Sequence, residues 1–361
     1  MQFHIPEPTP PRPVQRSLFT NFDLEIDALL GAPRARSAFK VDGAGLAAAV
    51  LDTGLRVSHV CFNGRVPEAH NFTGIGARDD VTDTNGHGTN VSGLIAAGTN
   101  DERRGIAPRA NIIPLKVLPA PTLNPILEAL QWVLSNAERL KISVVNMSLG
   151  VPGLNLVDDV HARAAYSDLH KVINQLYLEN IALCVAAGND YYQFQTEGMS
   201  LPAIFREVIA VGAVYDSSVG DRSYASGAAA YMTHADQITP FSQRLSADTS
   251  PECHTDVFSA GGGATSAGAQ NDDGTSTQDG TSQASPTVAG VILLLQQHYM
   301  RLMGQLPPIS LLQDVLRSTS TWLVDNDQDQ KDNVKNSGKR FPRVNAFESL
   351  VALDRYVKLR A

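Results

Sequence analysis

NIIPLKVLPAPTLNPILEALQWVLSNAERLKISVVN, residues 111–146, holds two short apolar runs around one helical repeat. Asn111 to Leu118 has the length and apolarity of a buried strand. Ile126, Leu127, Leu130, Val133, Leu134 and Ala137 then recur at helical spacing. Asn124 is the expected cap of that helix, with Pro125 at its first position. Ile142 to Asn146 is a second strand. A strand, a helix and a strand, with both strands apolar throughout, predict a parallel sheet covered on both faces.

The alternation continues outward. Leu46 to Leu51 reads as a buried strand that ends in the turn Asp52-Thr53-Gly54. His87 to Ala97 reads as a helix, and so does 159–179, with Val172, Ile173 and Leu176 on one face. Ile181 to Ala187 and Val208 to Val214 are two further strands, and helices are expected over 286–299 and 309–319. Residues 215–280 are rich in Gly, Ser, Thr and Asp and read as loops and short strands around a site. The predicted class is α/β with a mostly parallel sheet, whose functional residues gather at the carboxyl ends of strands.

A length of 361 residues allows two domains or one large one. Hydrophobic residues at 43% against 18% charged exclude a disordered or fibrous chain. A net charge of −8 speaks against nucleic acid as a partner, because phosphate binding needs a positive surface. Cys61, Cys184 and Cys253 are too few and too far apart for a disulfide framework or a zinc knuckle, so reduced thiols are expected. The opening MQFHIPEPTPPRPVQ lacks the apolar core of a signal peptide. The longest aliphatic run, Val291 to Leu295, is far short of the ~20 residues that span a bilayer. These features predict a cytoplasmic chain without a membrane partner. Pro6, Pro8, Pro10, Pro11 and Pro13 keep the N-terminal segment extended.

Three motifs place reactive side chains beside glycine or small residues: Leu51-Asp52-Thr53-Gly54, Asn85-Gly86-His87-Gly88-Thr89 and Gly280-Thr281-Ser282-Gln283-Ala284-Ser285-Pro286. Acyl-bond hydrolysis needs a nucleophile, a base and an acid that orients the base. Ser282, His87 and Asp52 are candidates for these roles, in the chain order Asp, His, Ser that distinguishes subtilisin from α/β-hydrolases. An esterase of the latter fold would want GxSxG, whereas Ser282 sits in GTSQA.

On these motifs the chain resembles the subtilisin-like serine proteases, over roughly residues 25–355. The resemblance implies one three-layer α/β/α catalytic domain, 21–361, behind a Pro-rich extension, 1–20. It implies Ser282 as nucleophile, His87 as general base and Asp52 as its orienting carboxylate. Asn189, in Cys184-Val185-Ala186-Ala187-Gly188-Asn189-Asp190, corresponds to the oxyanion-hole asparagine. Ser148, Leu149 and Gly150 resemble the edge that pairs with a peptide backbone. With Ala187 and Gly188 they resemble the walls of the pocket for the side chain before the cut. Val151 replaces a frequent glycine and is expected to narrow that pocket. Asn90 and Gln283 depart from the usual histidine and methionine, and Leu201-Pro202 resembles a cis position.

No cofactor is expected for the chemistry. The family's calcium loop follows the His helix, and here that stretch is the partly basic Asn100 to Gly105, so the site is expected to be absent or altered. Asp325-Asn326-Asp327-Gln328-Asp329 spaces acids as calcium loops do but lacks the following glycine, so an exposed acidic loop is expected. About 40 residues before the first core strand are too few for a folded prodomain, so residues 1–18 are expected to lie over the cleft as an inhibitory plug. The predicted function is a serine endopeptidase acting on protein or peptide substrates through an acyl-enzyme. The competing reading is a silent subtilase that binds peptides as a scaffold.

Overall fold

The structure is a computed structural model that describes residues 3–4, 24–100, 103–327 and 330–360. Nine strands form the central sheet: β1 Ala47–Asp52, β2 His70–Asn71, β3 Asn111–Lys116, β4 Ile142–Met147, β5 Ala182–Ala186, β6 Ile209–Tyr215, β7 Val257–Gly262, β8 Thr321–Val324 and β9 Arg340–Arg343. Their spatial order is β8-β9-β7-β6-β5-β4-β1-β3-β2. Every neighbouring pair is parallel except β8 and β9, where Thr321 faces Arg343 in an antiparallel register.

β1 shows why three layers form. Ala48 and Val50 point into one core with Val91, Val288 and Ile292. Ala47, Ala49 and Leu51 point into the other with Ile126, Leu130, Leu169 and Ile173. A strand buried on both faces has no polar face to alternate with, hence its unbroken apolar run. The helix Thr281–Met303 is buried on almost every side, as a helix apolar all round must be.

Several expectations need correction. Leu123 caps the helix Asn124–Leu140, so Asn124 is already helical, and no side chain caps it. The stretch 159–179 is two helices, Val160–Ala165 and Ser167–Leu178, broken at Tyr166, whose backbone is non-helical. The segment 215–280 contributes a whole central strand, β7, beside its loops and short hairpins. Its VFSAGG is fully buried, but small residues gave it no apolar signature. The helix expected at 286–299 begins five residues earlier, at Thr281, and carries Pro286 inside it.

Asp256, just before β7, accepts the Ala210 N–H at 2.8 Å, and burial pushes its carboxyl up to about 7. Below about pH 4 the carboxyl is protonated in both folded and unfolded chains and costs nothing. Between pH 4 and 7 only the unfolded chain releases the proton, so stability falls, by a few kcal/mol at most at ~1.4 kcal/mol per unit. Above pH 7 the loss levels off. Asp256→Asn should therefore gain thermal stability over wild type between pH 5 and pH 8. Melting curves at the two pH values check this, and an equal gap at both would contradict it.

Candidate active site

Three adjacent parallel strands end side by side: β1 at Asp52, β4 at Met147 and β5 at Ala186. Ser148 follows the second and Gly188-Asn189 the third. The first turn of the helix Thr281–Met303 meets these ends, with the Ser148 hydroxyl donating to the Ser282 carbonyl at 2.7 Å. Pro286 lacks the N–H that would reach that carbonyl within the helix, and Ser148 supplies the missing donor. Ser285 Oγ donates to Asn146 Oδ1 at 2.9 Å, and Asn146 Nδ2 donates to Ser148 Oγ at 2.9 Å. A chain of buried polar bonds thus fixes the helix start against β4.

His87 and Asp52 are both about 1% exposed, with Nδ1 of the imidazole 2.7 Å from Asp52 Oδ1. The Thr53 N–H also donates to Oδ1, at 2.7 Å, so the carboxylate cannot rotate freely. That contact places a proton on Nδ1 and leaves Nε2 as the basic nitrogen. Nε2 has no hydrogen-bond partner, and the Ser282 hydroxyl donates to the Ser148 carbonyl at 3.3 Å. The structure thus joins Asp52 to His87 and leaves the Ser282–His87 bond open. A proton could pass from Ser282 to His87 only if the hydroxyl turned from Ser148 to Nε2. Catalytic hydrogen bonds are often loose before substrate arrives.

Asn189 Oδ1 accepts from Thr281 N at 2.9 Å and from Thr281 Oγ1 at 2.8 Å. Those two bonds fix the amide orientation, so Nδ2 is the end that can donate to an oxyanion. Leu149 and Gly150 line a small cavity beside it, with Ala186 and Gly188. Ser148 lies beneath Ser282 rather than in that wall, and the Ala187 side chain joins the core below.

Asp83 organises both partners. Its Oδ1 accepts from Thr53 Oγ1 at 2.9 Å, Asn85 N at 3.1 Å and Gly86 N at 2.8 Å. Its Oδ2 accepts from Thr89 N at 2.8 Å and Thr89 Oγ1 at 2.6 Å. It therefore ties the turn after Asp52 to the first turn of the His87–Ala96 helix. Gly88 lets those segments touch, since a Cβ there would lie 2.2 Å from the Gly54 carbonyl. An acid just upstream of a helix start was the sequence signal for Asp83. Asp83→Ala should lower kcat roughly 10–100-fold through misplacement of His87, with KM little changed. Steady-state kinetics decide it; a loss confined to KM would count against a positioning role.

The model of the subtilase family matches residues 43–338. The chain belongs to the subtilase family. It is 34% identical over 181 residues to the major intracellular serine protease of Bacillus subtilis (strain 168), covering 48% of this chain and 52% of that protein. It is 30% identical over 260 residues to the intracellular serine protease of Paenibacillus polymyxa, covering 71% and 68%. Against Subtilisin-like protease 2 of Trichophyton equinum it is 29% identical over 302 residues, covering 82% and 59%. The chain thus spans about half to three-fifths of the length of two of these relatives.

Two departures of this subtilase from the usual pattern meet in space. Gln283 Nε2 donates to Gln278 Oε1 at 3.1 Å and to Asn90 Oδ1 at 3.4 Å. Asn90 Nδ2 donates to the Ser276 carbonyl at 2.9 Å. Amides therefore bind the two helix starts to the hairpin Ala264–Gln278. The Leu201-Pro202 peptide is cis, as expected, and so is Leu118-Pro119.

Beside the loop after the His helix, of which residues 101–102 lie outside the described residues, a guanidinium holds three carbonyls. Arg65 Nη1 donates to the Ala96 carbonyl at 2.6 Å and the Ala110 carbonyl at 2.8 Å, and Nη2 donates to the Cys61 carbonyl. At the second acidic stretch, Asp325 is about 1% exposed and pairs with Arg244 at 3.0 Å. It is a buried counter-ion, which corrects the expected exposure at that one position, whereas Asn326 is exposed; residues 328–329 lie outside the described residues. Among the described residues, no group of three or more His, Cys, Asp or Glu side chains is placed to hold a metal. No described helix is long and apolar enough to cross a membrane.

Proposed function

We propose that this subtilase is a serine endopeptidase that cleaves protein or peptide substrates through an acyl-enzyme. The carrying observation is the buried 2.7 Å contact between His87 Nδ1 and Asp52, with Ser282 at the start of the adjoining helix. In this reading His87 Nε2 takes the Ser282 hydroxyl proton as Oγ attacks the scissile carbonyl carbon. Asp52 stabilises the imidazolium that forms. Asn189 Nδ2 and the helix-start N–H of Ser282 receive the oxyanion. His87 then returns the proton to the leaving amine, and water repeats the sequence on the ester. None of these steps needs a cofactor. The relatives' names, and three cysteines outside any disulfide, accord with action inside the cell.

Regulation by the N-terminal extension belongs to the same proposal. The backbones of His4 and Gly150 exchange hydrogen bonds, at 3.2 and 3.4 Å, and Phe3 bridges Ala120 in antiparallel register. A segment paired in this way occupies the edge a peptide substrate would use. The prolines from Pro6 to Pro13 lie outside the described residues.

One observation favours the scaffold reading, namely the Ser282 hydroxyl held by Ser148 rather than His87. A fluorophosphonate probe separates the two. Labelling of wild type but not of Ser282→Ala supports the peptidase, and failure to label wild type supports the scaffold.

A further inference from the structure

The side chain before the cut must lie beside Asn189 and Ser282, because its own carbonyl reacts there. The cavity at that place, lined by Leu149–Val151, Ala186, Gly188 and Ser200 and by His4 of the docked extension, measures only about 20 Å³. That is room for about one water-sized group. Gln243 forms part of its wall. Its side chain is fully buried, and its Nε2 donates to the Leu154 carbonyl and to Asn155 Oδ1, both at 2.9 Å. Those bonds fix which way the amide faces, so Oε1 is the atom set against Gly188 in the cavity wall. Oε1 is buried and has no hydrogen-bond partner. It rests against Gly188, where a Cβ would come within 1.9 Å of it. The plug therefore requires glycine at 188, and the Gln243 N–H holds the Gly188 carbonyl at 2.9 Å.

We propose that Gln243 restricts this pocket to small side chains that carry a hydrogen-bond donor, so that cleavage follows serine in preference to alanine and rejects phenylalanine, leucine and lysine. The proposal rests on the peptidase reading above and names its substrate class. Size sets the first half: Gln243 fills the space beside Gly188 that a large side chain would need. Polarity sets the second: a buried acceptor left without a donor is costly, and a serine hydroxyl meets it where an alanine methyl does not.

The test is a peptide library varied at the residue before the cut. It is presented to the full chain and to its Phe3→Asp variant, which relieves competition from the extension. Wild type should favour serine over alanine about tenfold, and serine over phenylalanine about a hundredfold or more. Gln243→Ala should raise the phenylalanine-to-serine ratio at least about tenfold. Gln243→Met keeps the bulk and removes the acceptor, so it should still reject phenylalanine while bringing serine and alanine level. A folded Gln243→Ala with an unchanged ratio, or wild type that cuts well after phenylalanine, overturns the proposal. Should Gln243→Ala not fold, the serine-to-alanine ratio of Gln243→Met decides. If no variant cuts and Ser282 does not label, the peptidase reading has failed. Calorimetric binding of peptides ending in serine or phenylalanine then still judges the pocket, and equal affinities would sink it.

Discussion

Ser282→Ala should lower the kcat for peptide hydrolysis about 10⁶-fold and abolish covalent labelling, while the melting temperature stays within a degree or two of wild type. The scale comes from measurements on subtilisin, a relative, and not from this geometry. The small stability effect does follow from the structure, because Ser282 Oγ makes a single long bond, 3.3 Å to the Ser148 carbonyl. Asp52→Asn should cost less, about 10⁴-fold. An amide at 52 keeps an acceptor near His87 Nδ1 but loses the charge that stabilises the imidazolium. It also places a neutral group where Thr53 N now donates to a carboxylate. Residual activity above about 1% in Ser282→Ala, with contaminating protease excluded by active-site titration, would remove Ser282 from the role of nucleophile.

The triad candidates were legible because each lies in a short motif bounded by glycine or small residues at the end of an element. Asp52 ends an apolar run, His87 opens a helix, and Ser282 opens another. Strands with an unbroken apolar run were legible too, as β1 and β3–β6 show. β7 was not, since VFSAGG is buried through tight packing rather than large apolar side chains. Gly261 shows the constraint: a Cβ there would lie 2.4 Å from the Gly280 carbonyl. Tyr166 carries no proline or glycine to announce the break it makes. Asp83 and Gln243 stayed hidden for a different reason. Asp83 reads as an ordinary acid before a helix until folding brings the Thr53 hydroxyl to it, and Gln243 lies far in sequence from both Gly188 and Leu154. Arg65 is the same kind of case: its charge could be read, but the three carbonyls it satisfies come from separate segments.

The extension offers the second large effect. Phe3 is about 2% exposed and packs into the core layer that holds Leu118, Ala120 and Leu149. Burying a phenylalanine contributes roughly 1.5–3 kcal/mol. Losing it should shift the balance between docked and undocked extension by roughly 10–100-fold. The backbone bonds between His4 and Gly150 contribute less, because water replaces them on release. Phe3→Asp should therefore raise peptidase activity about tenfold or more, measured from the first seconds, with intact mass showing that no cleavage of the extension is involved. The rise should not depend on enzyme concentration, since the plug is part of the same chain. A synthetic peptide of residues 1–18 added to Phe3→Asp should restore inhibition by raising apparent KM with kcat unchanged, the signature of competition for the substrate edge. Unchanged activity in Phe3→Asp, or inhibition that lowers kcat alone, would mean that the contact at Ala120 and Gly150 does not guard the cleft. Control would then have to come from the narrow pocket behind Gly188 and from the few substrates it admits.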